Sequence, residues 1–271
     1  MEAYDPLSNF AYEISKLLHV QGPVSIFGPY SADWTTPLEF TITGHLFWWI
    51  ISVTIFLLVM FAWKKRASIV PRGRFVNAMD FLWEFIRKGV VETIISHNAR
   101  QHLPFISTIF FLLLVNNYVG VFPSAKAPNG VISGTLAMSV TVFIYFNYAG
   151  IKAKGGLAYF KGIVPHGVPV FVAPIIFIIE VVSFCLRPIT QALRLFAAVY
   201  AGHILLGIFA LLTSLFVTGI FQGAYVWGLT VPLWFVLLIA IYVLEFLVLA
   251  IQAYVFTMLT AVYIDGATSD H

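Results

Sequence analysis

Long apolar stretches separated by short polar segments dominate the chain from Ile42 onward. Three of them, at residues 42–63, 103–122 and 131–151, approach the roughly 20 apolar residues that a helix needs to cross ~30 Å of hydrocarbon. Strong hydropathy sustained over such lengths is typical of membrane helices and exceeds what a buried helix of a soluble domain requires. We therefore predict an upright N-terminal span over 42–63 and two further spans over 103–122 and 131–151.

The last two apolar stretches are longer than a single upright span. Residues 170–215 and 231–264 each lack a convincing loop, and the turn-like cluster between them, residues 218–228, is rich in glycine. As continuous helices they would measure about 69 Å and 51 Å at 1.5 Å per residue. Each must tilt strongly or break into two spans, in the first case at Pro188. We favour a long, strongly tilted two-helix hairpin, because four spans need two more loops than the sequence supplies.

Residues 71–96 have a helical pattern of another kind. Apolar residues recur at helical spacing while charged residues occupy other positions, which predicts an amphipathic helix on the cytoplasmic membrane surface. Docking of this helix against a partner subunit is the alternative, and both can hold together. The apolar positions are Phe75, Met79, Leu82, Phe85 and Ile86.

Basic residues are distributed unevenly among the segments between the predicted spans. Residues 1–41 contain five acidic residues and one lysine, whereas residues 64–100 contain eight basic residues. Cytoplasmic loops of membrane proteins carry an excess of Lys and Arg. Residues 1–41 are therefore predicted to form an external N-terminal segment, and the alternation of spans then puts the C-terminus in the cytoplasm.

Composition agrees with an all-α integral membrane protein that forms a single membrane domain over residues 1–271. Hydrophobic residues make up 60% of the chain and charged residues 10%, and the mean hydropathy is +0.92. The single cysteine, Cys185, allows neither a disulfide framework nor a cysteine metal site. The sequence also lacks a phosphate-binding loop of the form G-x-x-x-x-G-K. We expect no metal, no cofactor and no nucleotide chemistry in this chain.

Formal charge is rare in the long apolar region between residues 162 and 264. Arg194 lies in its middle, where an arginine costs about 2.5–3.5 kcal/mol on insertion scales and usually faces a partner or a wet path. A guanidinium keeps its proton at any accessible pH, so Arg194 is a fixed positive charge. It points to transport of a species whose charge it attracts or blocks. The charged residues of the region are Glu180, Arg187, Arg194 and Glu245.

Polar residues of the predicted hairpin fall at matching depths. If its turn centres near residues 222–223, His203 lies about level with Glu245, and Arg194 about level with Gln252. Histidine titrates near neutral pH, so a His/Glu pair can pass protons. Gln252 can hydrogen-bond without adding charge. Glu180 and Arg187 lie nearer the cytoplasmic end, where snorkelling to the interface is the alternative interpretation.

At these motifs the chain resembles subunit a of the F-type proton-translocating ATP synthase, over nearly its whole length. Where the family usually has Gly-Asn after Arg-Leu-Phe, this chain has Ala197-Ala198. The motifs that carry the resemblance are Arg-Leu-Phe at 194–196, Tyr-Ala-Gly-His at 200–203, Ile-Gln-Ala-Tyr-Val-Phe at 251–256, Glu-Val-Val-Ser at 180–183, and Asn117 six residues before Pro123.

The resemblance implies a stator subunit with two offset half-channels that load and unload the carboxylates of a rotating c-ring, and so couple proton flow to ATP synthesis. It implies as partners the c-ring subunits, the peripheral-stalk b subunits, the rest of the complex, membrane lipid and protons, with no nucleic acid. The location implied is the bacterial plasma (inner) membrane. Residue by residue, it implies that Arg194 separates the half-channels near Gln252, that Asn117, His203 and Glu245 belong to the external one, and that Glu180 belongs to the cytoplasmic one.

Two other classes of protein fit parts of the pattern. A stand-alone secondary transporter or ion channel would also use charged residues inside the membrane. Many transporters, however, are built from internal repeats with paired broken helices, and we find no such repeat. A purely structural membrane scaffold would leave Arg194, His203 and Glu245 without a role.

Overall fold

The structure is a computed structural model and describes residues 44–66, 73–96, 98–122, 127–155, 159, 173–221 and 230–268. The predicted external segment, residues 1–41, lies outside the described residues, as do residues 222–229 between the two hairpin helices. Within the described residues the fold is all-α, and five helices are long and apolar enough to cross a membrane. The predicted class, an all-α integral membrane protein, is confirmed.

The structure contains seven described α-helices. α2 continues directly into a π-helical turn, Arg87–Val91, before α3. The candidate membrane spans are α1, α4, α5, α6 and α7. The helices are α1 (Gly44–Arg66), α2 (Arg74–Ile86), α3 (Glu92–Ile94), α4 (Ala99–Val121), α5 (Ile132–Lys154), α6 (Ala173–Phe221) and α7 (Val231–Thr268).

Helix ends differ from the sequence prediction by a few residues. α1 runs on to Arg66, and α5 runs on to Lys154. Basic side chains occupy the last turn in both cases, where they interact favourably with the negative end of the helix dipole. α4 begins at Ala99, ahead of the apolar run, and contains Pro104. The hydrophobic pattern alone therefore underestimates these helices, since their polar ends extend past the apolar core.

The two hairpin helices are continuous. α6 has 49 residues and α7 has 38, which correspond to about 74 Å and 57 Å at 1.5 Å per residue. α6 passes through Pro188 without a break, and the hydroxyl of Ser139 on α5 donates a hydrogen bond to the Pro188 carbonyl at 2.6 Å. Neither helix fits upright along its full length in ~30 Å of hydrocarbon, so the strong tilt expected from the sequence stays a prediction.

α2 buries part of its predicted apolar face against the rest of the protein. Met79 and Ile86 are buried together with Val76, whereas Phe75 and Phe85 stay exposed. The indole nitrogen of Trp63 at the end of α1 donates to the Asp80 carboxylate at 2.9 Å. α2 is thereby joined to α1, and the exposed Phe85 lies with its ring centroid 5.3 Å from that of Tyr254 on α7.

α7 is the central helix of the packing, since it contacts α4, α5 and α6. α1 packs on α4 and leaves Leu57, Leu58 and Phe61 exposed. Exposed apolar residues are also frequent on α6 and α7, as befits surfaces in contact with lipid or another membrane subunit. The largest fully buried side chains of the core include Ile106, Leu113, Phe146, Leu195, Leu249 and Phe256.

Candidate functional site

The register of the hairpin decides which polar residues of α6 and α7 meet. Three contacts, spaced eleven positions apart on each helix, share one antiparallel register: Gln191 with Phe256, Gly202 with Glu245, and Thr213 with Trp234. In this register Arg194 is level with Ala253, next to Gln252. His203 is level with Leu244, next to Glu245. The depths inferred from the sequence agree with this register to within about one residue.

Glu245 is a buried carboxylate held against the backbone of α6. Its side chain lies so close to Gly202 that a Cβ added there would sit 2.8 Å from Oε1 and 3.0 Å from Cδ. Glu245 is 3% exposed, and neither of its oxygens has a hydrogen-bond partner among the described residues. Since His203 follows Gly202 in the chain, the carboxylate lies at the helical turn that carries the histidine.

The C-terminal part of α4 contacts this polar region. Asn117 is buried and donates from Nδ2 to the backbone carbonyl of Leu249 on α7 at 3.2 Å. Leu249 follows Glu245 by four residues and so lies on the same face of α7. On the α6 side, a Cβ added to Gly120 would lie 3.5 Å from Nε2 of His203. The fold therefore brings Asn117, His203 and Glu245 to one junction of three helices.

Two amides of this junction were not among the predicted site residues. Asn129, in the turn before α5, donates from Nδ2 to Oδ1 of Asn117 at 2.8 Å. Asn116, the neighbour of Asn117 in α4, is fully buried like Asn129. Asn116 gave a sequence signal, since an amide inside a membrane span is costly. Asn129 gave none, because Pro-Asn-Gly is also an ordinary turn sequence.

Arg194 lies on the outer surface of the hairpin. Its side chain is exposed, and the described residues give it no ion-pair or hydrogen-bond partner. Leu193 beside it is also exposed, so the guanidinium stands on an otherwise apolar surface. Gln252, at nearly the same level on α7, is 9% exposed. The structure thus aligns the two residues in depth without a hydrogen bond between them.

The part of α6 that precedes Arg194 carries a second polar region. Arg187 follows Glu180 by seven residues on the same face of α6, and its Nη2 lies 3.8 Å from Glu180 Oε1. The guanidinium also lies 5.6 Å from the ring centroids of both Phe184 and Tyr263, a distance suited to cation–π attraction. Arg187 is therefore held by aromatic rings and a carboxylate of its own subunit. The neighbouring groove, about 390 Å³ in volume, is lined by Ile179, Val182, Ser183, Leu186, Arg187 and Thr190.

The predicted site residues form two groups with Arg194 between them. Glu180 precedes Arg194 by fourteen residues, about 21 Å along the helix axis, and His203 follows it by nine, about 13 Å. A wet path to each group would end on opposite sides of a fixed positive charge. Within the described part of the chain, no cluster of His, Cys, Asp and Glu is placed to hold a metal ion.

A family model described as ATP synthase A chain matches residues 45–265. This chain belongs to that family. The match includes all five candidate spans almost in full and every predicted site residue. Membership of the ATP synthase A chain family does not favour the stand-alone transporter or channel that the sequence left open.

Curated relatives agree over most of the chain. The ATP synthase subunit a of Parvibaculum lavamentivorans is 34% identical over 231 residues, which cover 85% of this chain and 86% of the relative. That of Gluconacetobacter diazotrophicus is 36% identical over 221 residues, covering 81% and 86%. That of Bradyrhizobium diazoefficiens is 36% identical over 226 residues, covering 83% and 87%.

Proposed function

We propose that this chain is the proton-translocating stator subunit of the membrane sector of an ATP synthase, acting on the carboxylates of a rotating c-ring. As a member of the ATP synthase A chain family it is a multi-pass membrane subunit of that complex. The observation that carries the mechanism is the exposed Arg194 between two polar groups of α6. A guanidinium on an apolar surface inside a membrane needs a partner of opposite charge, and a ring carboxylate supplies it.

The outer group receives protons from outside. A proton passes Asn117 and reaches His203 and Glu245, which lie at one junction of α4, α6 and α7. Histidine exchanges protons near neutral pH, and the carboxylate beside it accepts and returns them. Glu245 then hands the proton to a ring carboxylate, which becomes neutral and can face lipid while the ring turns.

The inner group receives the proton after nearly a full rotation. The ring carboxylate releases it near Glu180, where Ser183 and Thr190 offer hydroxyl groups in the adjoining groove. Arg187 stays beside Glu180, with its Nη2 3.8 Å from Glu180 Oε1. The proton leaves to the cytoplasm.

Arg194 separates the two paths. Its fixed charge favours the ionised form of each ring carboxylate that approaches, so the carboxylate gives up its proton on one side and takes a new one on the other. The same charge repels protons that would cross directly between the paths. Gln252, level with it on α7, orients the neighbouring groups through its amide.

The proposed role also implies partners for this chain and an orientation in the membrane. The c-ring covers the face of α6 that carries Arg194, and peripheral-stalk b subunits cover other parts of the membrane surface. The N-terminus lies outside and the C-terminus in the cytoplasm of a bacterium, as the distribution of basic residues requires. Nucleotide chemistry is left to other subunits, and this chain contributes proton transfer.

The test is Arg194→Ala, with coupling measured in intact membrane vesicles and passive proton conduction measured in vesicles from which the ATP-hydrolysing sector has been stripped. ATP synthesis and ATP-driven pumping should be abolished, while passive proton conduction persists or rises because the barrier between the paths is gone. Arg194→Lys should also uncouple, since an ammonium lacks the planar, delocalised fork. Leu193→Ala, at the exposed neighbouring position, is the matched control and should leave coupling intact. Proton-tight Arg194→Ala vesicles that still contain an assembled ring contradict the separator role.

A further inference from the structure

A chain of side-chain amides ties the turn before α5 to α7. Asn129 donates to Oδ1 of Asn117 at 2.8 Å, and Asn117 donates to the Leu249 carbonyl at 3.2 Å. Both asparagines are almost completely buried. Leu249 lies one helical turn after Glu245 on the same face. The turn is thereby fixed at the level of the buried carboxylate, and Asn129 serves as a positioning residue for Asn117.

The place of Asn116 follows from that of Gly120, which lies near His203 of α6. It precedes Gly120 by four residues in α4 and so shares its face. Added to Gly120, a Cβ would lie 2.9 Å from the Ala127 Cβ and 3.5 Å from Nε2 of His203. Asn116 therefore lies one turn deeper in the membrane than the contact between α4 and the histidine.

Five buried side-chain atoms of this junction have no protein partner among the described residues. They are Nδ2 and Oδ1 of Asn116, Oδ1 of Asn129, and Oε1 and Oε2 of Glu245. Buried polar atoms in proteins are nearly always hydrogen-bonded, to protein or to ordered water. A buried water molecule makes about three hydrogen bonds to such atoms. The junction offers donors and acceptors of this kind from α4, the turn and α7.

We propose that Asn116 and Asn129 bind ordered water at this junction and extend the external proton path from the α4–α5 turn to His203 and Glu245. This inference rests on the proposed function and adds two residues to it. Water held by the two amides links the turn to the buried carboxylate. Protons pass along this water from one molecule to the next. The amides carry no charge, so they hold the water without trapping a proton.

Access of water is tested directly with single cysteines in a Cys185→Ser background, in vesicles containing the complete membrane sector. Asn116→Cys should react with silver ions added from outside. Phe111→Cys is the matched control, because Phe111 is also a buried residue of α4 but packs against Trp63 of α1. An apolar cavity made there stays dry. We expect reaction at position 116 to be roughly tenfold faster or more, in line with a polar, wet site.

Proton conduction supplies the second measurement. Asn116→Leu removes the polar group at similar volume and should lower passive conduction roughly tenfold, the order expected when a buried polar contact is lost. Asn116→Ser keeps a hydroxyl that can hold water and should conduct several times faster than Asn116→Leu. Asn129→Ala should lower conduction as well, because Asn117 loses its donor. Co-purification of the ring confirms assembly of each variant.

Two results overturn the proposal. One is equal, slow silver reaction at positions 116 and 111, and this result also decides the matter if Asn116→Leu fails to assemble. The other is an assembled Asn116→Leu variant that conducts like the parent. Neither result contradicts the proposed stator role. That role is contradicted separately, if vesicles of the parent complex show no coupled conduction or if Arg194→Ala vesicles are proton-tight.

Discussion

The side-chain amide of Gln191 on α6 donates to the backbone carbonyl of Phe256 on α7 at 3.2 Å. The same nitrogen lies 3.2 Å from Thr260 Oγ1, which itself donates to the Phe256 carbonyl. Gln191 and Thr260 are both buried. A shift of one residue between the helices would leave this amide unsatisfied, so the contact fixes the register on which the depth of Arg194 depends.

We predict that Gln191→Leu weakens the hairpin by about 1 kcal/mol, since hydrogen bonds between membrane helices contribute roughly that much. In the double variant with Thr260→Val, the loss in free energy of unfolding should be smaller than the sum of the losses in the two single variants. The reason is that both substitutions remove the same hydrogen-bond network. Unfolding of the purified chain in mixed micelles measures the free energies. Thr190→Val is the control, since Thr190 is exposed and bonds within its own helix. Equal losses in Gln191→Leu and Thr190→Val would contradict the locking role.

The hairpin register could be predicted because its polar residues are few. Glu245 and Gln252 are seven residues apart on one helix, and His203 and Arg194 are nine apart on the other. Polar groups inside a membrane are costly unless they meet, so their spacing nearly determines how the helices align. The continuity of α6 at Pro188 was open, because proline can break or kink a helix. In the structure α6 is continuous at Pro188, whose carbonyl accepts a hydrogen bond from Ser139 of α5. This is a long-range contact that the local sequence pattern does not contain.

Other parts of the site could not be predicted, for physical reasons. Gly202 and Gly120 matter through how closely another chain segment approaches them, which depends on packing. Asn129 lies in a turn, where exposed asparagine is common, and its burial follows from the contact with Asn117.

We predict that Gly202→Ala disturbs proton transfer at Glu245. The added methyl would lie 2.8 Å from Oε1, closer than real Cβ contacts allow, so the carboxylate must move. ATP-driven pumping should fall roughly tenfold, as expected for misplacement of a proton-transfer group. Adding Glu245→Asp, whose side chain is one methylene shorter, should restore part of it. Gly266→Ala is the matched control on α7, where an added Cβ meets nothing within 4 Å. Normal pumping in Gly202→Ala would show that the close contact is unimportant.

The orientation predicts which side of the membrane each end of α1 faces. In a Cys185→Ser background, a membrane-impermeant thiol reagent added to intact cells should label Ser8→Cys and leave Ser68→Cys unlabelled. The reason is the excess of basic residues after α1 and of acidic residues before it. Permeabilised cells provide the control, in which both positions should react. Labelling of position 68 alone in intact cells would invert the topology and exchange the two half-channels.

His203 and Glu245 are predicted to act as a pair. Glu245 packs against Gly202, and His203 is the next residue of α6, so the two side chains belong to one junction. Exchanging them, with His203→Glu and Glu245→His together, keeps one acid and one imidazole at the same depth. The double exchange should therefore retain more proton-driven ATP synthesis than either single exchange, each of which leaves two like groups.

The comparison requires assembled complexes, because Glu245 is buried and a histidine in its place is larger. Each variant is purified and its content of ring subunits measured before synthesis rates are compared. Each single exchange is expected to lower the rate of ATP synthesis roughly a hundredfold, the order expected when a proton-transfer group is lost. The double exchange is expected to recover part of that loss. Recovery follows from the junction, since a proton leaving position 203 still meets a group of the other kind at 245. If the assembled double exchange is no better than the worse single, the two residues act independently and the external path must run past only one of them.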